Sequence, residues 1–426
     1  MKFRKAWLTV VVTAVAVIAA ACGGSTPTTT NPADQTGTLT IWLMNGSAPQ
    51  RVVDGVNADF KAKYPKVTVN VEIQQWGEIG TKLDTAFAGS TPPDVVELGN
   101  TLVAKYAAAG ALEDISGKKS SFDNSGTWLQ SLTDSCTVSG KLYCVPYLAG
   151  SRAIIYRKDF FAAAGVTPPT SMDDLLTVGQ KLMNAHKSDP NFSALYFPGK
   201  YWYAALPFIW QEGGDIAVQD GGSWKGTLSS AASVKGLDMV KKIMDEASGA
   251  PKDGDESKDY VAFCNGEVGM LMGPGWKLGQ ILNEKDGCPA MADKVGAFAL
   301  PGAAAGTTAP AFLGGSNLAI SAKSEHQDLA LDLLKIMAGK GYQTQFAQAG
   351  TIPALKSLLG QVSGDEAAKA QAVAAQNSRF VPSSENWAGV EASTVLPDML
   401  VSIAQGGDVQ AAATQADQAI TSQLNG

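Results

Sequence analysis

Leu39-Thr-Ile-Trp-Leu43, Val67-Thr-Val-Asn-Val-Glu-Ile73 and Asp94-Val-Val-Glu-Leu98 are three short runs whose nature and order decide the fold. The first and third read as buried strands. The second alternates apolar and polar residues, as a half-buried strand does. Between the first two runs, Val52, Val53, Val56 and Phe60 recur at helical spacing until Pro65 ends the pattern. Between the second and third, Ile79, Leu83, Ala86 and Phe87 do the same, and Gly89 stops them. A β-α-β-α-β order predicts parallel strands covered by helices. Ligands of such sheets bind beyond the carboxyl ends of the strands. Those ends carry Asn45-Gly46-Ser47, Gln75-Trp76 and Gly99-Asn100-Thr101.

The same grammar resumes after Pro146. Ala153-Ile-Ile-Tyr156 reads as a strand, and Asp159 opens a helix that Gly165 ends. Ser171-x-x-Asp174 resembles a capping box ahead of Leu175, Leu176 and Leu182. Ser324-Glu-His-Gln327 caps a helix whose Leu329, Leu333, Leu334 and Met337 face a core. The chain closes on two helices, marked by Leu396, Met399, Leu400 and Ile403, then by Ala412, Ala416 and Ile420. There is no internal repeat of solenoid length. A chain of 426 residues exceeds the size at which one core usually splits, so two lobes are expected.

Residues 1–21 read as a secretory signal: Lys2, Arg4 and Lys5, an apolar run from Ala6 to Ala21, and small residues before the cut. The run is shorter than the ~20 apolar residues a spanning helix needs. Cys22 at the cut resembles the lipobox cysteine of bacterial lipoproteins, which is diacylated and becomes the mature N-terminus. The alternative is an ordinary signal with an incidental cysteine. Residues 22–36 form the lipidated tether: Ser25 to Thr36 is rich in Pro, Thr and Ser and holds little to bury.

The formal charge is −7, and no basic run occurs, which argues against nucleic acid. No segment after the leader is long and apolar enough to cross a membrane. Four cysteines follow Cys22, an even number in an oxidising compartment. A hairpin with Ser139-Gly140-Lys141 as a three-residue loop would set Cys136 opposite Cys144. That favours a Cys136–Cys144 disulfide and, by elimination, Cys264–Cys288. The competing reading is four small buried thiols.

Four segments carry a resemblance to a known family. They are Pro93-Asp94-Val-Val-Glu-Leu-Gly-Asn-Thr101 with Tyr106-Ala-Ala-Ala-Gly110; Gly140-Lys-Leu-Tyr-Cys-Val-Pro146 with Ile155-Tyr-Arg-Lys-Asp159; Phe263-Cys-Asn-Gly-Glu-Val-Gly-Met270 leading to Gly275-Trp276; and Gly314-Gly-Ser-Asn-Leu-Ala-Ile320 with Gly350-Thr-Ile-Pro353. In order and spacing they resemble the family 1 extracellular solute-binding proteins of sugar ABC importers. Within that family, Trp42-Leu-Met-Asn-Gly-Ser-Ala-Pro49, Gln74-Gln-Trp76 and Glu97-Leu-Gly-Asn100 resemble actinobacterial binding proteins for N-acetylglucosamine and its β-linked dimer, N,N′-diacetylchitobiose. The resemblance implies a two-lobed α/β fold of the periplasmic-binding-protein type (type II). Each lobe would be a mostly parallel sheet flanked by helices, and a hinge would join them. It implies lobe 1 over residues 37–145 and 302–352 and lobe 2 over 146–301 and 353–426. It also implies a monomer on the outer face of the cell membrane, held there only by its lipid, which delivers sugar to a permease whose ATPase is a separate chain.

Sugars offer apolar C–H faces to aromatic rings and hydroxyl rims to polar groups. The resemblance puts Tyr203, Trp276 and Trp387 on sugar-contacting positions, and Trp76 and Trp202 also sit at loops or strand ends. Core packing competes for each of them. Trp42, Trp128 and Trp210 fall in strand or helix patterns and are assigned to packing. The polar candidates are Asn45, Ser47, Glu97, Asn100 and Ser316, all at strand ends, where ordinary turn chemistry is the competing explanation.

A secreted carbohydrate-active hydrolase is the rival class, and would need two carboxylates across a cleft. No motif marks such a pair. The two histidines, His186 and His326, fit no zinc pattern, and neither a G-x-S-x-G elbow nor a Walker A loop occurs. No catalytic residue, metal or cofactor is therefore expected. Maltodextrin, trehalose and cellobiose are alternative ligands for the same scaffold.

Overall fold

The computed structural model of the protein describes residues 31–426; the leader over 1–21, Cys22 and most of the tether lie outside the described residues. The strands that place the cleft are, in chain order, β1 (Gly37–Met44), β2 (Val67–Gln74), β3 (Val95–Gly99), β4 (Val145–Gly150), β5 (Arg152–Arg157), β6 (Ser193–Tyr196), β7 (Val268–Pro274), β8 (Val295–Phe298), β9 (Gly314–Ile320) and β10 (Ile352–Pro353). The helices that matter are α1 (Gln50–Lys63), α2 (Ile79–Ala88), α3 (Gln130–Cys136), α4 (Trp202–Gln211), α5 (Asp259–Asn265), α6 (Trp276–Ile281), α7 (Gln327–Met337), α8 (Glu366–Ala375) and α9 (Trp387–Ala392).

The strands form a six-stranded sheet in the order β10-β4-β9-β3-β1-β2 and a four-stranded sheet in the order β8-β5-β7-β6. The α/β two-lobed class holds, but the sheets are mixed rather than mostly parallel. Parallel pairing within them is confined to β2-β1-β3 and to β6-β7. β4, β5 and β9 pair antiparallel with their neighbours, because the chain passes from one sheet to the other through them. The first sheet keeps β4 through Gly150 and regains the chain at Gly314.

Each sheet has its own core. In the first, Leu39, Ile41 and Leu43 of β1 meet Val52, Val56 and Phe60 of α1 and Leu333, Leu334 and Met337 of α7. Each such side chain taken out of water contributes about 1.5–3 kcal/mol. In the second, Leu195, Phe208, Ile209, Leu400 and Ile420 belong to a separate cluster. Helical spacing of apolar residues accounts for the α1 side of the first core, since α1 buries only Val52, Val53, Val56 and Phe60. Trp42 meets its assignment to packing only in part. Strand alternation sets it on the β1 face opposite Leu39, Ile41 and Leu43, where it rests against the edge of the core, remains partly exposed, and donates from Nε1 to Glu72 Oε2 at 2.9 Å.

Both disulfides are present, Cys136–Cys144 and Cys264–Cys288. The turn behind the first has two residues, not three. Val138 pairs with Lys141 and Thr137 with Leu142, while Ser139 and Gly140 both take positive φ. That is the mirror-image turn that suits the twist of a tight hairpin. Cys136 therefore ends α3 and faces Tyr143 across the hairpin, and it reaches Cys144 diagonally.

Candidate functional site

A cavity of about 910 Å³ opens where the two sheets meet. Its walls come from the turn after β1, the residues after β2, the end of β4, the end of β7 with the start of α6, the start of α4, and the region from β10 to α8. Among the sequence candidates, Asn45, Ser47, Trp76, Tyr203 and Trp276 line it. Trp276 is 62% exposed and Trp76 is 44% exposed, so two indole rings stand open to solvent in one cavity. Trp276 starts α6 two residues after the end of β7, and the turn at the intervening Gly275 leaves the ring outside the core. Trp76 likewise comes just after the last residues of β2.

The other five candidates stand behind the wall. Glu97 is fully buried. Its Oε2 accepts from the Met44 N–H and the Ser47 hydroxyl, both at 2.8 Å, and its Oε1 accepts from the Ser316 hydroxyl at 2.5 Å. Burial pushes its carboxyl up to about 7, and the three donors offset part of that shift. Glu97 thus holds the Asn45–Ser47 turn from beneath, and Ser316 is its partner. Asn100 is buried and donates to the Leu313 carbonyl at 2.9 Å. Trp202 packs in the second core, with its ring centroid 3.7 Å from that of Tyr203. Trp387, 1% exposed, lies edge-on to Trp202 at 6.3 Å in the same core. Trp202, Trp387, Glu97, Asn100 and Ser316, expected from the sequence to touch a ligand, are buried here and do not line the cavity. The polar and glycine-rich stretches around such residues resemble exposed loops, but their side chains turn inward.

Charge in the cavity is compensated. Arg152 donates to Glu256 through Nη1 at 2.7 Å and Nη2 at 3.0 Å, a bidentate pair, and also to the Tyr201 hydroxyl at 3.0 Å. Asp365 accepts from the Ala368 N–H at 2.8 Å as the cap of α8. Tyr203 donates to Glu391, and burial first, then that carboxylate, pushes its hydroxyl well up. Among the described residues, no group of His, Cys, Asp and Glu is placed to hold a metal ion. Reading the sequence missed Ser151, Arg152, Phe312, Thr351 and Gln371, which also line the cavity. Ser151 and Arg152 directly follow β4 and could have been found as the end of a strand that crosses between lobes. Gln371 sits in an alanine-rich helix and carries no local signal.

The family model of the bacterial extracellular solute-binding proteins matches residues 41–344. The diacetylchitobiose binding protein DasA of Streptomyces coelicolor is 34% identical over 400 residues, covering 91% of each chain. A probable ABC transporter-binding protein of Deinococcus radiodurans is 30% identical over 231 residues, 52% of this chain and 53% of that one. Among solved structures, the sugar-binding protein MalE from Xanthomonas citri matches with a TM-score of 0.78 at 24% identity, over 91% of this chain and 97% of that one. That likeness shows the fold. With a two-sheet cleft lined by open indoles and a family match across most of its length, this chain belongs to the bacterial extracellular solute-binding proteins, a family that binds solutes and does not transform them.

Proposed function

We propose that this protein captures a short neutral oligosaccharide outside the cell and delivers it to the permease of an ABC importer, with N,N′-diacetylchitobiose and related N-acetylglucosamine sugars as the first-choice ligand. The observation that carries the reading is the cleft itself: Trp76 and Trp276 stand open in a cavity of about 910 Å³ whose charged groups are already paired or capping. Open indoles suit the C–H faces of sugar rings, and neutral polar walls suit an uncharged rim. The likeness to a diacetylchitobiose binding protein over 91% of the chain supports the choice of sugar.

Lobe 1 gathers around β1–β4, β9 and β10, and lobe 2 around β5–β8. We place the hinge at the passages near Gly150 and Gly314, a few residues from the 145/146 boundary and about a dozen from the 301/302 boundary expected from sequence. The mature protein is a monomer anchored through Cys22. Mass spectrometry of its N-terminus would show acyl chains on Cys22, and an unmodified Cys22 would end that part of the reading.

The test of function is a thermal-shift and calorimetry panel of diacetylchitobiose, cellobiose, maltose and trehalose, with chromatography of the recovered sugar. A ligand that binds only the folded state adds about 2.7 kcal/mol at roughly 100 times its Kd. Diacetylchitobiose should stabilise most and be recovered intact. A preference for another of these sugars keeps capture and discards the ligand, whereas sustained hydrolysis overturns the binder reading.

A further inference from the structure

Three residues distant in sequence converge at one corner of the cleft. β7 runs antiparallel to β5 with Pro274 opposite Arg152, the last pair of the ladder, and Gly275 and Ser151 are the residues next to that pair. α8 packs against β4 and β5 and brings Gln371 to the same place. A Cβ added to Gly275 would lie 2.8 Å from Gln371 Oε1, so only glycine leaves the amide its position. Ser151, Gly275 and Gln371 all line the cavity, and Trp276 follows immediately.

Gln371 is 3% exposed and Ser151 is 1% exposed, yet Gln371 Nε2 and Ser151 Oγ have no hydrogen-bond partner. Leaving a buried polar group unpaired costs about 1–3 kcal/mol, and native proteins satisfy nearly all of them. Both residues line the cavity, and since the two atoms themselves are closed to solvent, each side chain would turn toward the cavity to meet a partner seated there. The carboxamide Nε2 can only donate, whereas a serine hydroxyl can donate and accept. An amide on the solute offers the complement, a carbonyl acceptor and an N–H donor. The nearby cations do not call for an anion, because Arg152 is held by Glu256 and Lys277 by Asp259.

We propose that Ser151 and Gln371, converging on Gly275 beside Trp276, form a polar subsite that recognises a neutral amide group on the captured solute. On the reading that the solute is a short sugar, that group is the acetamido of an N-acetylglucosamine unit resting on Trp276. The subsite separates N-acetylated sugars from their hydroxyl counterparts, since an unfilled corner leaves its two polar groups unpaired.

The experiment is calorimetry of the wild type, Gln371→Leu and Ser151→Ala with N,N′-diacetylchitobiose and with cellobiose, the β-linked dimer that lacks acetamido groups. Gln371→Leu should weaken diacetylchitobiose roughly tenfold, the worth of one well-made buried hydrogen bond, and weaken any cellobiose binding by clearly less. Its melting temperature should not fall, because Nε2 has no protein partner to lose. Ser151→Ala should move affinity the same way. If the wild type binds diacetylchitobiose and both variants bind it equally well, or if cellobiose loses as much, the subsite is overturned while sugar capture stands. If the wild type ignores diacetylchitobiose but takes another short sugar, the subsite and the first-choice ligand fall together.

Discussion

Trp276 and Trp387 show how far a single residue's role depends on where its ring points. Both follow loop-like stretches in the sequence, but one is 62% exposed in the cleft and the other 1% exposed in a core. Trp276→Ala should therefore cost about 2 kcal/mol of sugar binding with stability nearly unchanged. Trp387→Ala should instead lower stability by about 3–5 kcal/mol, the usual cost of emptying a buried aromatic site. Calorimetry and denaturant unfolding of the pair separate the roles, and normal binding by a destabilised Trp276→Ala would return that ring to the core. Glu97 makes a second prediction. Its carboxyl is raised by burial from 4.5 to about 7, so between those values the folded state holds a proton that the unfolded state has released. Its contribution to stability is thus complete below about 4.5 and is lost as pH rises through about 7. The difference in melting temperature between the wild type and Glu97→Gln should shift against the wild type across that window. A difference that stays flat with pH would show that Glu97 does not titrate there. The strand-end position of Glu97 was legible in the sequence; that its carboxylate faces Met44, Ser47 and Ser316 rather than the cleft was not.

At the scale of elements, α5 and α6 form a braced pair beneath Trp276. Lys277 Nζ and Asp259 Oδ1 meet at 2.7 Å with both side chains buried, and Cys264–Cys288 ties the same two regions. Burial raises the Asp259 carboxyl, and Lys277 draws it back. Leu278, Ile281 and Phe263 fill the space between them as a small separate core. The chain-entropy model gives about 3.5 kcal/mol for the longer loop closed by Cys264–Cys288 and about 2.5 kcal/mol for the short Cys136–Cys144 loop. Paired serine variants measured by denaturant unfolding should keep that order. Equal losses, or a larger loss at the short loop, would show that residual structure in the unfolded chain outweighs chain entropy. The cysteine pairing was legible from spacing and parity, but the hairpin geometry was not. The positive φ of Ser139 shortened the expected loop by one residue, a backbone choice that a non-glycine residue does not advertise.

For the whole molecule, cleft residues come from both sheets, so a bound sugar should draw the lobes together. Small-angle scattering should show a smaller radius of gyration with saturating diacetylchitobiose, and binding without compaction would remove the hinge motion while leaving capture in place. The sequence by itself determined the α/β class, the strands that begin the first sheet, the helices that cover them, the two disulfides and the loops that carry Trp76 and Trp276. These follow from local rules, because period, caps, stops and cysteine spacing act over a few residues. Tertiary structure alone decided that the sheets are mixed, that Trp202 and Trp387 are buried, and that Ser151, Gly275 and Gln371 meet. Strand direction depends on how the chain crosses between lobes, and the burial of a ring depends on what packs over it from distant segments. The corner at Gly275 needs a strand ladder and a helix from distant parts of the chain to coincide in space, and no periodicity in either segment encodes that meeting.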